Sequence, residues 1–307
     1  MLRDTLTVRR VRSLAVAVPC TVYPPPAHMQ QHTPAHPRQR TQNRARQQAA
    51  LLLFALLTAT AAAQPPATAK GKKVVDDAIA ALGGNAFLQV QDRVESGRAY
   101  LFYRDTLSGL SIAKIYTRYI TVDPTKSAHD LGVRERQSFG KNEDSAVVLR
   151  EDGGANITYR GPKPLPMEDF ERYRETTLHN IFYILRQRLH EPGMEFESKG
   201  SDVVDRVPVE IVDVIDAQNF AVRVYFHQVT KLPVMQSFSR LDLKTKDRDE
   251  EVTRFDRYRD NHGIQWPQQI TRERNGEKIY QIFAETVTFN QDLTDDLFSI
   301  TTTPRKK

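Results

Sequence analysis

Between residues 98 and 289 the apolar positions of this chain recur mostly with a period of two, and short turn-forming clusters separate the runs that carry them. Alternation of that kind places every second side chain on one face of a strand, so it commits most of the chain to sheet. The runs fall at 98–104, 111–122, 131–139, 146–150 and 156–160, then at 207–215, 220–229, 234–243, 251–259, 268–274 and 278–289. Gly140-Lys141-Asn142 and Asp152-Gly153-Gly154 punctuate the first group. In the second, Asn275-Gly276 sits between two β-patterned runs, the strongest short hairpin signal. Consecutive strands joined by hairpin-length links give an antiparallel sheet.

Two segments depart from this period. In 72–82, Val75, Ala78, Ile79 and Leu82 stand at i, i+3, i+4 and i+7, and Gly83-Gly84 closes the helix. Leu178, Ile181, Phe182, Leu185 and Leu189 form a second apolar stripe over three turns, between a Pro-rich link at 162–166 and Glu191-Pro192-Gly193. The expected fold is mainly β (α+β): a large curved antiparallel sheet of ten or eleven strands, with an N-terminal helix and a mid-chain helical lid on one side.

Such a sheet has more apolar face than two helices cover. Either it closes on its own side chains, or its hollow holds an apolar ligand. Face alternation selects Tyr100, Phe102, Phe220, Val222, Val224, Phe226, Phe238, Phe283, Val287 and Phe289 as candidate lining, with Phe182 and Leu185 as lid. Ile279, Phe283, Val287 and Phe289 are read as sharing one face of their run.

The N-terminal region reads as a leader. Residues 47–63 combine an apolar stretch at 49–57 with small residues ending Ala61-Ala62-Ala63, behind Arg38, Arg40, Arg44 and Arg46. The apolar stretch is about half the roughly 20 residues a spanning helix needs, so cleavage after Ala63 is expected over a retained anchor. Met29 makes a more ordinary signal start, which marks residues 1–28 as the product of an early start codon. Residues 64–71 read as a flexible tail and 72–303 as one domain.

Charge and cysteine content follow from that division. Removing the eight arginines and one aspartate of residues 1–63 from 44 basic and 38 acidic residues leaves 36 and 37, a net of −1. The whole-chain charge of +6 therefore belongs to the leader, and no nucleic-acid partner is expected. Cys20, the one cysteine, lies in the leader, so the domain has no thiolate for a disulfide, a metal or nucleophilic chemistry.

Catalytic motifs are missing too. His129, His179, His190, His227 and His262 form no H-E-x-x-H or H-x-H pattern, and neither a G-x-S-x-G elbow nor a phosphate loop occurs. Acidic clusters at 76–77, 247–251 and 292–296 leave a carboxylate-pair hydrolase as a distant reading. Asp295-Asp296-Leu297-Phe298 reads as a helix start or turn with an apolar plug behind it. No metal or cofactor is expected.

Three segments carry a family resemblance. Residues 204–238 pass through Thr230, Leu232 and Pro233 in a T-x-L-P hairpin; 252–270 end on Trp266-Pro267; and 289–300 run FNQDLTDDLFSI, close to N-x-x-L-x-D-x-L-F. In these segments, and in its order of helix, strands, helical crossing and strands, the chain resembles the periplasmic lipoprotein-carrier (LolA/LolB-like) superfamily over roughly 72–300. The resemblance implies an unclosed half-barrel whose concave apolar face, partly lidded by helices, receives acyl chains. It carries no catalytic signature and assigns the carrier's gating arginine to no particular position.

The expected function is thus a soluble, monomeric, non-enzymatic periplasmic protein that binds or transfers the acyl chain of a lipoprotein or lipid, with inner- or outer-membrane proteins as further partners. An envelope-stress sensing module on the same fold is the alternative. N-terminal sequencing of the exported protein should begin at Gln64; an intact leader in that fraction would contradict the cleavage assignment.

Overall fold

The computed structural model describes residues 66–300 except 124, 126–129 and 242–245. The leader and its cleavage site lie outside the described residues, as does His129. The described residues belong to one compact unit.

The chain opens on helix α1 (Ala67–Leu82) and a short turn of helix α2 (Asn85–Leu88). A first meander follows: β1 (Asp92–Tyr103), β2 (Thr106–Tyr119), β3 (Val133–Phe139), β4 (Ser145–Arg150), β5 (Gly153–Thr158) and β6 (Gly161–Pro164). The crossing consists of α3 (Met167–Leu178) and α4 (Ile181–Tyr183), which continues as a π-turn over Ile184–Arg188. A second meander completes the sheet: β7 (Glu195–Val204), β8 (Val207–Ile215), β9 (Ala221–His227), β10 (Pro233–Leu241), β11 (Arg248–Asn261), β12 (Ile264–Arg274) and β13 (Glu277–Phe289). β13 pairs with β1, so the meanders join into one thirteen-stranded antiparallel sheet with β6 and β7 at its two edges. The sheet is not closed into a barrel.

Two strands exceed the sequence expectation, and they are the two edges. β6 contains Pro162 and Pro164, and β7 reads EFESKGSDVV, polar over most of its length. Prolines and charges protect an unpaired edge from further strand addition, and they also erase the apolar alternation that reveals a strand.

The N-terminal helix corrects a boundary. It starts at Ala67, so 67–71, expected as flexible tail, are helical, and Gly71 is buried. A Cβ on Gly71 would lie 2.2 Å from the Phe196 carbonyl oxygen of β7, so the glycine is what lets α1 lie on the β7 backbone. The buried stripe of α1 (Val74, Val75, Ala78, Ile79, Leu82) meets Phe196, Val212, Val214, Val222, Val224 and Phe226 in the main core. Each aliphatic side chain fully buried there contributes roughly 1.5–3 kcal/mol.

The mid-chain stripe is not one helix. The chain breaks at His179-Asn180, and the Asn180 side chain caps the next helix by accepting from the Phe182 N–H at 3.0 Å. Buried Gln236 of β10 holds the break: its Oε1 accepts from the Ile181 N–H at 2.8 Å and its Nε2 donates to the His179 carbonyl at 3.1 Å. Arg188, 1 % exposed, donates to Glu191 (2.6 Å), Asp216 (3.1 Å) and the Leu178 carbonyl (2.8 Å). These contacts fix the crossing against the sheet. Asp295–Phe298 forms a 3₁₀ turn whose Phe298 is buried with Tyr116 and Val148, matching the apolar plug expected there.

Two outcomes follow. Gly71→Val should destabilise the domain by about 1–3 kcal/mol, the range for forcing atoms into a packed interface, read as a lowered midpoint in urea. Asp216 is held at about 2, against an ordinary 3.8: burial opposes its charge, but the nearby His179 at 3.7 Å and hydrogen bonds from the Phe220 N–H and Arg188 outweigh it. A depressed carboxyl pKa stabilises the fold above the ordinary value, and that contribution is lost as pH falls from about 4 to about 2. Asp216→Asn should therefore remove about 2 kcal/mol of the stability difference between pH 5 and pH 2.

Candidate functional site

The helices cover only part of the concave face. α1 and α4 pack on the side of β8 to β12, where they complete the main core. Over β1 to β3 and β11 to β13 the face stays open beneath α3 and α4, enclosing a cavity of about 670 Å³. That volume lies within the roughly 300–1,000 Å³ typical of small-ligand sites.

Strand parity determines which side chains reach it. On β1 the inward positions are Arg93, Glu95, Ala99 and Leu101; from β2 come Ile115, Thr117 and Tyr119, and from β3 Val133, Glu135, Gln137 and Phe139. Across the hollow stand Trp266, Ile270 and Arg272 of β12 and Tyr280 and Ile282 of β13, with Tyr173, Phe182 and Tyr183 from the crossing above.

None of the candidates selected by face alternation lines this cavity; of the two residues expected as lid, Phe182 does. Val222, Val224, Phe226, Phe238 and Val287 point to the concave side but lie in closed core, and Phe220 and Phe289 pack against it. Leu185, expected as lid, is fully buried in the same core. Tyr100 and Phe102 are on the wrong face: their neighbours Ala99 and Leu101 point inward. Phe283 also faces outward, with the Arg257 guanidinium 5.3 Å from its ring. A bulge explains the last error. Ser96 pairs with Thr286 but Gly97 with Ala284, so Glu285 is an extra residue and the parity of β13 reverses across it. Phe283 and Val287 therefore do not share a face.

The floor of the cavity is polar. Arg93, buried, donates to Glu95 at 2.5 Å, to Thr117 at 3.1 Å and to the Tyr119 hydroxyl at 3.3 Å, and lies 4.2 Å over the Trp266 ring. Burial opposes the charge on Arg93, but the fields of Glu95, Tyr119 and Glu135 outweigh it and hold its pKa up. Glu135 accepts from Gln137 at 2.5 Å. Burial raises its carboxyl above the usual value, with Gln137 and Arg93 offsetting part of the effect. Burial likewise pushes the Tyr183 hydroxyl up to about 12, while its hydrogen bond from the Gly132 N–H, 2.6 Å long, works the other way. Trp266 Nε1 is buried without a hydrogen-bond partner among the described residues. The arrangement is an apolar chamber with a hydrogen-bonding end.

Comparison with known proteins bears on the fold. No protein-family model matches the sequence, and no curated protein matches it by sequence. Solved structures do match by shape. A DUF1329 family protein from Desulfovibrio piger superposes with a TM-score of 0.51 at 13 % identity, covering 76 % of this chain and 98 % of that one. A protein domain from Vibrio parahaemolyticus, described as outer membrane lipoprotein-sorting, gives 0.50 at 10 % identity over 76 % and 97 %. A LolA superfamily protein from Nitrosomonas europaea gives 0.47 at 10 % identity over 75 % and 97 %. The fold is the one shared with the DUF1329 protein and the lipoprotein-sorting domain. Among the described residues, no helix is long and apolar enough to cross a membrane.

Placing Phe226 in closed core has a direct consequence. Phe226→Glu should unfold the domain, because a carboxylate buried there without a partner costs several kcal/mol. Loss of the far-ultraviolet β signal and of a cooperative melt would show it; a folded variant would mean that water reaches that face.

Proposed function

We propose that this protein is a non-enzymatic carrier of acyl chains in the bacterial envelope, and that the chain is received in the cavity between the β1–β3 and β11–β13 face and the α3–α4 crossing. The observation that supports this most is the division of the concave face. One half is covered by helices and forms buried core, and the other is left as a lidded chamber walled by Ala99, Leu101, Ile115, Phe182, Ile270 and Ile282. Burying an acyl chain gains ~0.8 kcal/mol per CH₂, on the order of 10 kcal/mol for sixteen carbons. A chamber of this kind gives that chain a surface to occupy without the fold having to open its core.

The sorting role named for the Vibrio domain fits such a chamber, and so does a periplasmic location after cleavage of the leader. The cargo on this reading is the acyl part of a lipoprotein or lipid. Transfer requires release as well as capture. The lid meets that need because α3 sits over the cavity, while the helix break at His179-Asn180 is held by a few polar contacts to Gln236.

Filling the chamber tests the proposal. Ala99 lies on its wall beside Ile282 and Ser111 in the sheet register, so a larger side chain there projects into the hollow. Ala99→Phe should leave the melting temperature within a few degrees and weaken binding of a fluorescent fatty acid about tenfold or more, the loss of roughly two CH₂ groups' worth of contact. Unchanged binding by the folded variant would place the acyl site elsewhere.

A further inference from the structure

The charges that line the cavity are unequally satisfied. Arg93 and Glu95 form a buried pair with Thr117 and Tyr119 around it, and Glu135 is hydrogen-bonded to Gln137. Arg272 has no such partner. Its guanidinium is half-buried on the cavity wall, and among the described residues it makes neither a hydrogen bond nor an ion pair. It stands opposite Tyr280 in the β12–β13 register, and Tyr280 stands opposite Leu101 of β1, so Arg272 belongs to the Leu101 side of the chamber wall.

A half-buried guanidinium without a counter-ion is free to take one, and the fold has a carboxylate nearby that does not neutralise it. Glu135 feels the field of Arg272, yet the two do not come within ion-pair distance, so space remains between them. A planar fork of five donors matches a carboxylate or a phosphate in two-point contact. The Arg272 fork is thus a set of donors without an acceptor on the cavity wall, which is the condition an anionic acceptor fills.

We propose that the cavity selects single-chain anionic amphiphiles, a carboxylate or phosphate head joined to one acyl chain, and that Arg272 is the specificity-determining residue that receives the head. This rests on the reading that the chamber takes an acyl chain. Glu135 beside the head opposes an anion only while it is ionised, and burial already favours its neutral form. The Arg93–Glu95 pair keeps its own partners and acts as the fixed floor below.

The test is competition against a fluorescent fatty acid with three ligands of matched chain length: palmitic acid, hexadecanol and a lysophosphatidic acid. Palmitate should bind about tenfold or more tightly than hexadecanol, the gain of a charge-assisted contact. Arg272→Gln should abolish that preference and leave hexadecanol binding unchanged, while Arg272→Lys, which keeps the charge and loses the fork, should retain part of it. Whichever of palmitate and the lysophosphatidic acid binds more tightly tells a free fatty acid from a lysophospholipid as the source; tight binding of either supports the proposal. Equal binding of acid and alcohol by the unaltered protein would overturn the head-group assignment while leaving the acyl chamber standing. Failure of all three to displace the probe would overturn both.

Discussion

Thirteen strands curve around more concave surface than α1 and α4 can fill, and the rest of the molecule follows from that mismatch of areas. Where the helices lie, the face is ordinary core: Val222, Val224 and Phe226 are essentially without exposure beneath them. Where they stop, an apolar sheet face must either collapse, be lidded or be wetted. Collapse is resisted because the strands are tied into one continuous ladder from β6 to β7. The chain instead lays its crossing over the gap and clamps it with Gln236 below and the Arg188–Glu191–Asp216 cluster at its end. The cavity is thus a product of topology, since one sheet is served by few helices.

Polar side chains complete the account. A hollow lined by hydrocarbon alone stays dry and loses contacts all round its wall. Here the floor is built from Arg93, Glu95 and Glu135, which a purely apolar cavity would not tolerate. A buried ion pair such as Arg93–Glu95 is weak evidence of a stability gain, because desolvation takes back much of its attraction. Its effect is better read as positional: it keeps two inward-facing charges mutually satisfied, and the chamber above them open.

The sequence shows the architecture more clearly than the site, for physical reasons. Turn chemistry and alternation reveal eleven strands, but the edge strands β6 and β7 are protected by prolines and charges and lose the pattern. On β9 the inward face was legible and its partner was not, since nothing in Phe220, Val222, Val224 and Phe226 says that α1 covers them. On β1 face alternation singled out Tyr100 and Phe102, whereas the row that lines the cavity is Arg93, Glu95, Ala99 and Leu101. That row could have been found by extending the parity of Ala99 back to the charged residues. On β13 the bulge at Glu285 hides the change of face, because an inserted residue leaves no mark in composition.

The central claim is that an acyl chain lies in the chamber under α3 and α4, and the protein carries its own reporter of that. Trp266 is its single tryptophan and stands on the chamber wall beside Phe182, their rings 4.7 Å apart. Titration with a fatty acid brominated along its chain, a quencher that acts only at near contact, measures occupancy directly. The account predicts saturable quenching of Trp266 emission that an unbrominated fatty acid reverses by competition. Stoichiometric binding of the brominated chain by calorimetry with Trp266 emission undiminished would contradict it.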